Sequence, residues 1–227
     1  MTEEEEPSSV KQAMQLPEAE EWMKAINKEL QALEDNHVMS EVEECDVPQS
    51  AKIISSRYVF KIKRDENDVI RRRKARLVIK GNFQREGIDY QETFAPTVPV
   101  TTMLTVLAKA ATDGWFMAQM DVDTAFLNAK IDNEIFMRGP NNCPSTQGKI
   151  FKLNKSLYGL KQAPRLWNQC IDKVFSKDMG MTKATRDSCL YMGKSTGGNH
   201  VWTIMYVDDL IIMSDAQEGI TWFKESM

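Results

Sequence analysis

The chain has 227 residues, 42% of them hydrophobic and 27% charged, with a formal net charge of −4. That is enough apolar material for one large core or two small ones, and it is not the composition of a disordered chain. Four scattered cysteines with no CxxC pair, and only two histidines, argue against a zinc site. With no apolar run near the ~18 residues of a membrane span and an acidic start, MTEEEEPSS, instead of a signal peptide, the chain reads as soluble, intracellular and without a membrane partner.

Residues 1–16 are polar and acidic and read as a flexible tail. From Pro17 to about Asp35, Trp22, Met23, Ile26, Leu30 and Leu33 fall at helical spacing, with Glu18, Glu20 and Glu21 suited to the positive end of the helix dipole. Residues 58–80 alternate instead: YVFKIKR, a DEND turn and VIRRRKARLVIK predict a β-hairpin. Between positions 61 and 80 it carries nine cations against three acids, a surplus of six in a chain that is acidic overall. A solvated face would account for such a run, but the imbalance favours a polyanion partner.

A second helix is predicted over 101–113, stopped by Gly114, followed by a strand, WFMAQMDV, near whose end stands Asp121. TAFLNA then begins a turn or short helix, residues 150–158 suggest another strand, and a helix starts near Pro164 with Leu166, Trp167, Cys170, Val174 and Phe175 on its apolar stripe. HVWTIMYV and LIIMS make two apolar strands around a two-residue turn, which this reading assigns to Asp208 and Asp209.

Two adjacent aspartates in an apolar hairpin need an explanation. Like charges ~4 Å apart repel by about 4 kcal/mol at an effective dielectric of about 20. Exposure at a loop tip, basic partners or a divalent cation would each relieve them, and no basic partner lies nearby in sequence. Asp121 is a third carboxylate at a strand end, and acids from neighbouring strand ends converge well on hard cations. With a basic hairpin to hold phosphates, the constellation points to nucleotidyl transfer.

Six segments carry a resemblance: EAEEWMKAINKELQAL, YVFKIKRDENDVIRRRKARLVIKG, GIDYQETFAPTV, QMDVDTAFLNA, KLNKSLYGLKQAPRLW and MYVDDLII, in order over roughly residues 18–215. Together they resemble the reverse transcriptase of copia-type retrotransposon Pol polyproteins. The resemblance implies an α+β right-hand polymerase fold, with fingers from 17–98 and 129–162 and a palm from 99–128 and 163–227 that stops before a thumb. It implies an RNA-directed DNA polymerase that joins dNTPs to a primer on an RNA or DNA template. Two Mg²⁺ ions, or Mn²⁺, would be held by Asp121, by the carbonyl of Val122, by Asp208 and by the adjacent Asp209. Phe126 matches the residue beneath the nucleotide's sugar; Tyr158 and Gly159 belong to the turn, running to Pro164, that supports the nascent pair and template. Arg64 and Arg76 lie in the hairpin that closes on the triphosphate, and Tyr206 falls near the primer end. Ala129 stands where the family usually has glycine, and KGNFQ inserts Asn82 before the family's aromatic. Thumb and RNase H segments of a parent polyprotein would be partners, in a cytoplasmic virus-like particle. The rival reading is a non-catalytic remnant that at most binds nucleic acid.

Overall fold

The computed structural model describes residues 5–227 and divides into two units, up to Thr93 with Phe126–Leu166, and Phe94–Ala125 with Trp167–Met227. It is a mixed α+β chain with two five-stranded, mainly antiparallel sheets. None of its described helices is long and apolar enough to cross a membrane.

In the first unit, helix α1 (Val10–Ala13) and helix α2 (Ala19–Asp35) precede strand β1 (Met39–Val42), and the long strands β2 (Ile53–Arg64) and β3 (Ile70–Ile79) form the predicted hairpin. Short strands β5 (Phe136–Arg138) and β6 (Ile150–Leu153) complete a sheet ordered β1-β6-β5-β2-β3, in which only β2 and β5 run parallel. α2 begins at Ala19, with Pro17 ahead of its cap residue Glu18. It buries Trp22, Ile26, Leu30 and Leu33, and the Trp22 ring meets Phe60 of β2 edge-on at 5.2 Å. Burying each such side chain is worth on the order of 2 kcal/mol.

The N-terminal segment departs from the expected loose tail. Residues 1–4 lie outside the described residues, but Ser9 caps α1 by accepting from the Gln12 N–H, and Val10 and Ala13 are buried in the core. Glu6 accepts from the Ile62 N–H at 3.0 Å, on the side of β2 that β5 leaves uncovered beyond Ser55. Its carboxyl is held below the usual range by the hydrogen bond from Lys61. The outer edge of β3 is capped in the same way, the Leu77 N–H donating to Glu29 of α2 at 2.9 Å. Unpaired edge amides template foreign strands, and two carboxylates from the N-terminal region close these two.

In the second unit, helix α3 (Val100–Thr112) leads to strand β4 (Phe116–Asp121). The segment Ala125–Asn128 is a 3₁₀ turn that passes from the second unit to the first, where Ala129 is buried without a left-handed backbone, so a glycine is not required there. Helix α4 (Ala163–Lys173) begins in the first unit, continues in the second from Trp167 and runs into a π-helical turn, Val174–Asp178. Strands β7 (Thr182–Lys183), β8 (Leu190–Lys194), β9 (His200–Tyr206) and β10 (Asp209–Ser214), then helix α5 (Gln217–Ser226), complete the chain, and the second sheet runs β4-β10-β9-β8-β7. Asp187 serves structure here: its carboxylate accepts from the Cys189 N–H at 2.9 Å and turns the chain into β8.

Burial raises the Glu29 carboxyl above the ordinary glutamate range, against the opposing pull of the Leu77 N–H and of Arg76 and Lys74. An acid raised on folding favours the folded state most below its unfolded pKa, and that contribution is lost as pH rises through its folded value. Glu29→Gln keeps the acceptor and removes the titration. The difference in urea midpoint between wild type and E29Q is therefore expected to move in the variant's favour as pH climbs across that window; a flat difference refutes the assignment.

Candidate functional site

The hairpin β9–β10 pairs Tyr206 with Asp209, Met205 with Leu210 and Ile204 with Ile211. Its two-residue turn is therefore Val207–Asp208 and not the two aspartates, since Asp209 is the first residue of β10. On its other side β10 pairs with β4, and this register sets Asp209 directly opposite Asp121. Cross-strand partners share a face, so both carboxylates leave the same side of the sheet, with Cβ atoms about 5 Å apart by ordinary sheet geometry. Asp121 and Asp209 are exposed and Asp208 is half-buried. Water thus relieves much of the repulsion that the sequence alone leaves unexplained.

Val207 has φ +56°, a left-handed backbone that a β-branched residue adopts at a cost of about 1–3 kcal/mol. Both turn carbonyls are occupied: that of Val207 accepts from the Trp167 indole N–H at 2.8 Å, and that of Asp208 from the Val122 N–H at 2.9 Å. Gln119, two residues before Asp121 and on the same face, donates to Asp209 at 3.3 Å. Beside them an apolar hollow of about 240 Å³ is lined by Met103, Ile204, Tyr206 and Ile211 with Gln119 and Asp209 at its rim. Neither Gln119 nor Trp167 is marked by the sequence. Strand alternation could have found the first; the second bonds 40 residues away and leaves no local signal.

The three aspartates offer oxygen donors only, which fits a hard divalent cation better than a soft one. Among the described residues no three His, Cys, Asp or Glu side chains gather tightly enough to chelate one ion together. A cation here would rely on one or two carboxylates with water or phosphate oxygens completing its shell, which is the usual manner of Mg²⁺.

In the other unit the structure draws together most of the residues expected to face a nucleotide. The Arg76 guanidinium lies 5.0 Å from the centre of the Tyr158 ring, and Tyr158 meets half-buried Phe126 edge-on at 5.1 Å. Gly159 follows with φ +92°, and a Cβ there would come within 2.2 Å of the Ile79 carbonyl oxygen. The turn is pressed onto the end of β3, where the Ile79 N–H donates to the Tyr158 carbonyl. Behind it is a buried amide network absent from the sequence reading: Gln84 accepts from the Lys161 N–H and donates to Gln162, which donates to the Asp89 carbonyl. Arg64 does not join this group. It sits at the far end of the hairpin, bonded to the Asp68 carbonyl at 3.1 Å, while Arg76 is opposite Val59.

The hairpin register also sorts the basic run. Lys61 faces Lys74, Lys63 faces Arg72 and Arg76 faces Val59, so these cations share one face with Arg57. The opposite face holds Tyr58, Phe60, Ala75 and Leu77, with Arg73 paired to Glu21 of α2 and lying 5.7 Å from the Trp22 ring centre.

Comparison with known proteins adds the following. The family model described as "Reverse transcriptase (RNA-dependent DNA polymerase)" matches residues 40–227. The chain is 39% identical over 210 residues to the retrovirus-related Pol polyprotein from transposon TNT 1-94 of Nicotiana tabacum, covering 92% of this chain and 16% of that protein. It is 33% identical over 207 residues to the Pol polyprotein from transposon RE1 of Arabidopsis thaliana, at 90% and 14% coverage. The Ty1-LR2 Gag-Pol polyprotein of Saccharomyces cerevisiae matches at 28% over 201 residues, at 88% and 11%. The chain thus spans a sixth or less of the length of these relatives.

Gly159→Ala tests the close approach of its turn to β3. Left-handed strain and the collision with the Ile79 carbonyl act together, so a loss of well over 1 kcal/mol in unfolding free energy is expected. A thermal midpoint within a degree of wild type would show that the turn has room.

Proposed function

The chain belongs to the reverse transcriptase (RNA-dependent DNA polymerase) family, and on that premise we propose that it carries the centre for template-directed transfer of a nucleotidyl group from a dNTP to a primer 3′-hydroxyl. The hydroxyl oxygen attacks the α-phosphorus, the bond to the bridging oxygen breaks, and pyrophosphate leaves. The observation that supports this most is the pairing of Asp209 with Asp121 at the sheet end, with Asp208 in the adjoining turn.

The family uses divalent metal ions. In this reading Asp121 and Asp208 hold two Mg²⁺ or Mn²⁺, helped by the Val122 carbonyl and Asp209, and the metal supplies Lewis-acid stabilisation of charge on the phosphate oxygens. In this reading residues 99–128 and 163–227 are the palm and residues 17–98 and 129–162 the fingers. Phe126 packs beneath the sugar and discriminates against a 2′-hydroxyl, while Tyr158 and Gly159 face the nascent pair. Arg76, held against Tyr158, contacts the triphosphate; Arg64 at the hairpin's far end serves phosphates further out. Sequence is read by base pairing, and the cationic face of the hairpin holds backbone phosphates. Template, primer and the remaining polyprotein segments are the partners.

Mg²⁺ or Mn²⁺ is expected to raise the melting temperature, by roughly 5–10 °C at a hundred times its Kd. Asp208→Asn should remove most of that increment while leaving the metal-free protein at least as stable, because like-charge repulsion falls. The same variant and Asp121→Asn should abolish primer extension. Identical metal responses in wild type and D208N would refute the site. Absence of extension by the wild type with duplex binding retained would reduce the function to nucleic-acid binding.

For the hairpin, Lys63→Gln with Arg72→Gln is expected to flatten the salt dependence of primer–template binding by roughly two units of slope, equally for all sequences. Arg73→Gln, on the covered face, should cost stability and leave that slope alone. Unchanged slope in the double variant would return these cations to a solvated face.

A further inference from the structure

The turn bearing Asp208 is held by a residue outside the reading above. Trp167 is 4% exposed and lies on α4, and its indole N–H reaches the Val207 carbonyl oxygen at 2.8 Å. That carbonyl belongs to the peptide plane entering Asp208; the Asp208 carbonyl, taken by the Val122 N–H at 2.9 Å, belongs to the plane leaving it. Peptide units are rigid planes, so fixing both carbonyls fixes φ and ψ of Asp208 and the direction in which its side chain departs. The first of these planes leaves Val207, whose φ of +56° is a strained conformation that persists only where surroundings hold it.

We propose that Trp167 is a positioning residue for the Asp208 turn: its indole N–H, carried by a buried helix, locks the left-handed Val207 backbone and so aims the Asp208 carboxylate at the cation-binding end of the sheet. This rests on the reading of Asp121 and Asp208 as metal ligands. Closure of the two-residue turn by the Tyr206–Asp209 pair calls for φ above zero at Val207, and the Val122 N–H restrains only the second plane, so the Trp167 indole adds a side-chain hold on the first. The energy of that hydrogen bond is directional, and an apolar ring of similar size supplies none of it.

Trp167→Phe keeps an aromatic ring in the site and removes the donor. Titration with Mn²⁺, followed by the loss of its free-ion electron paramagnetic resonance signal, is expected to show affinity weakened roughly tenfold or more, as for other groups that orient a ligand. In the D208N background the same replacement should change affinity little, since the ligand it aims is already gone. A residue that only fills space would lower the melting temperature and leave the Mn²⁺ affinity of the folded protein unchanged, and that result overturns the proposal. A second measurement needs no replacement of Trp167: of the five tryptophan indole N–H resonances, that of Trp167 should shift on adding Mg²⁺ to the wild type and stay still in D208N. A stationary Trp167 resonance in a wild type that binds Mg²⁺ also overturns it. If the wild type shows no Asp208-dependent metal binding at all, the metal-site reading and this inference fall together, whereas equal affinity in wild type and W167F removes this inference alone.

Discussion

The antiparallel register of β4, β10 and β9 is the constraint on which the candidate site depends. One residue of slip in β10 would carry Asp209 to the buried face and lift Leu210 and Ile212, both fully buried, out of it. Each such apolar side chain is worth about 1.5–3 kcal/mol in place, and an uncompensated carboxylate in its stead costs more. Register is therefore set by the apolar residues, and the carboxylates are placed as a consequence. The far end of the same hairpin is locked independently. Ser214 Oγ donates to the His200 carbonyl at 2.7 Å, and Gly219 lets α5 come so close that a Cβ would meet that hydroxyl at 2.0 Å.

The same pairing explains how two acids stand in an apolar run. Burial along β10 is not uniform: Ile212, Met213 and Ser214 are buried on successive faces, whereas Ile211 is half-buried and Asp209 exposed. The strand emerges from a two-sided core into water over its own length. At its charged end Asp209 and the facing Asp121 are exposed, so these acids add little desolvation cost while remaining attached to a rigid sheet. The cost instead appears in the backbone of Val207, where a β-branched residue takes a conformation usually left to glycine or asparagine.

Local periodicity made much of this legible. The stripe of α2, the alternation of β2 and β3 and the apolar flanks of the aspartates follow from patterns within a dozen residues, and the elements form close to where those patterns place them. What could not be read depends on long-range pairing. YVDD does not announce which two residues turn, because valine is a poor candidate for φ above zero, and only the register puts Asp209 in the strand. Arg64 and Arg76 look equivalent in a basic run, yet the β2–β3 pairing sends one to the hairpin's far end and the other to Tyr158. Residues 5–16 looked like solvent-exposed tail because their partners, Lys61 and Ile62, lie some 55 residues on. The divide between the two units falls at 93/94, 125/126 and 166/167, where no composition shift marks it.

Charge in the first unit shows how one hairpin can serve two opposed needs. A long two-stranded extension exposes amide edges, and an exposed edge pairs with other chains unless something occupies it. Capping by carboxylates, from Glu6 at Ile62 and Glu29 at Leu77, satisfies edge donors without adding a strand. Those acids lie at the edges and on the α2 side, so they neutralise only part of the cationic face. Lys63 and Arg72, directly opposite each other, form a like-charge pair that costs stability in the isolated protein. A polyanion bound on this face would relieve that repulsion, and its affinity would come from displaced counterions more than from any single contact. A hairpin neutralised on this face would fold as well or better, so the sorting of acids to edges and cations to one face keeps a positive surface at some cost in stability.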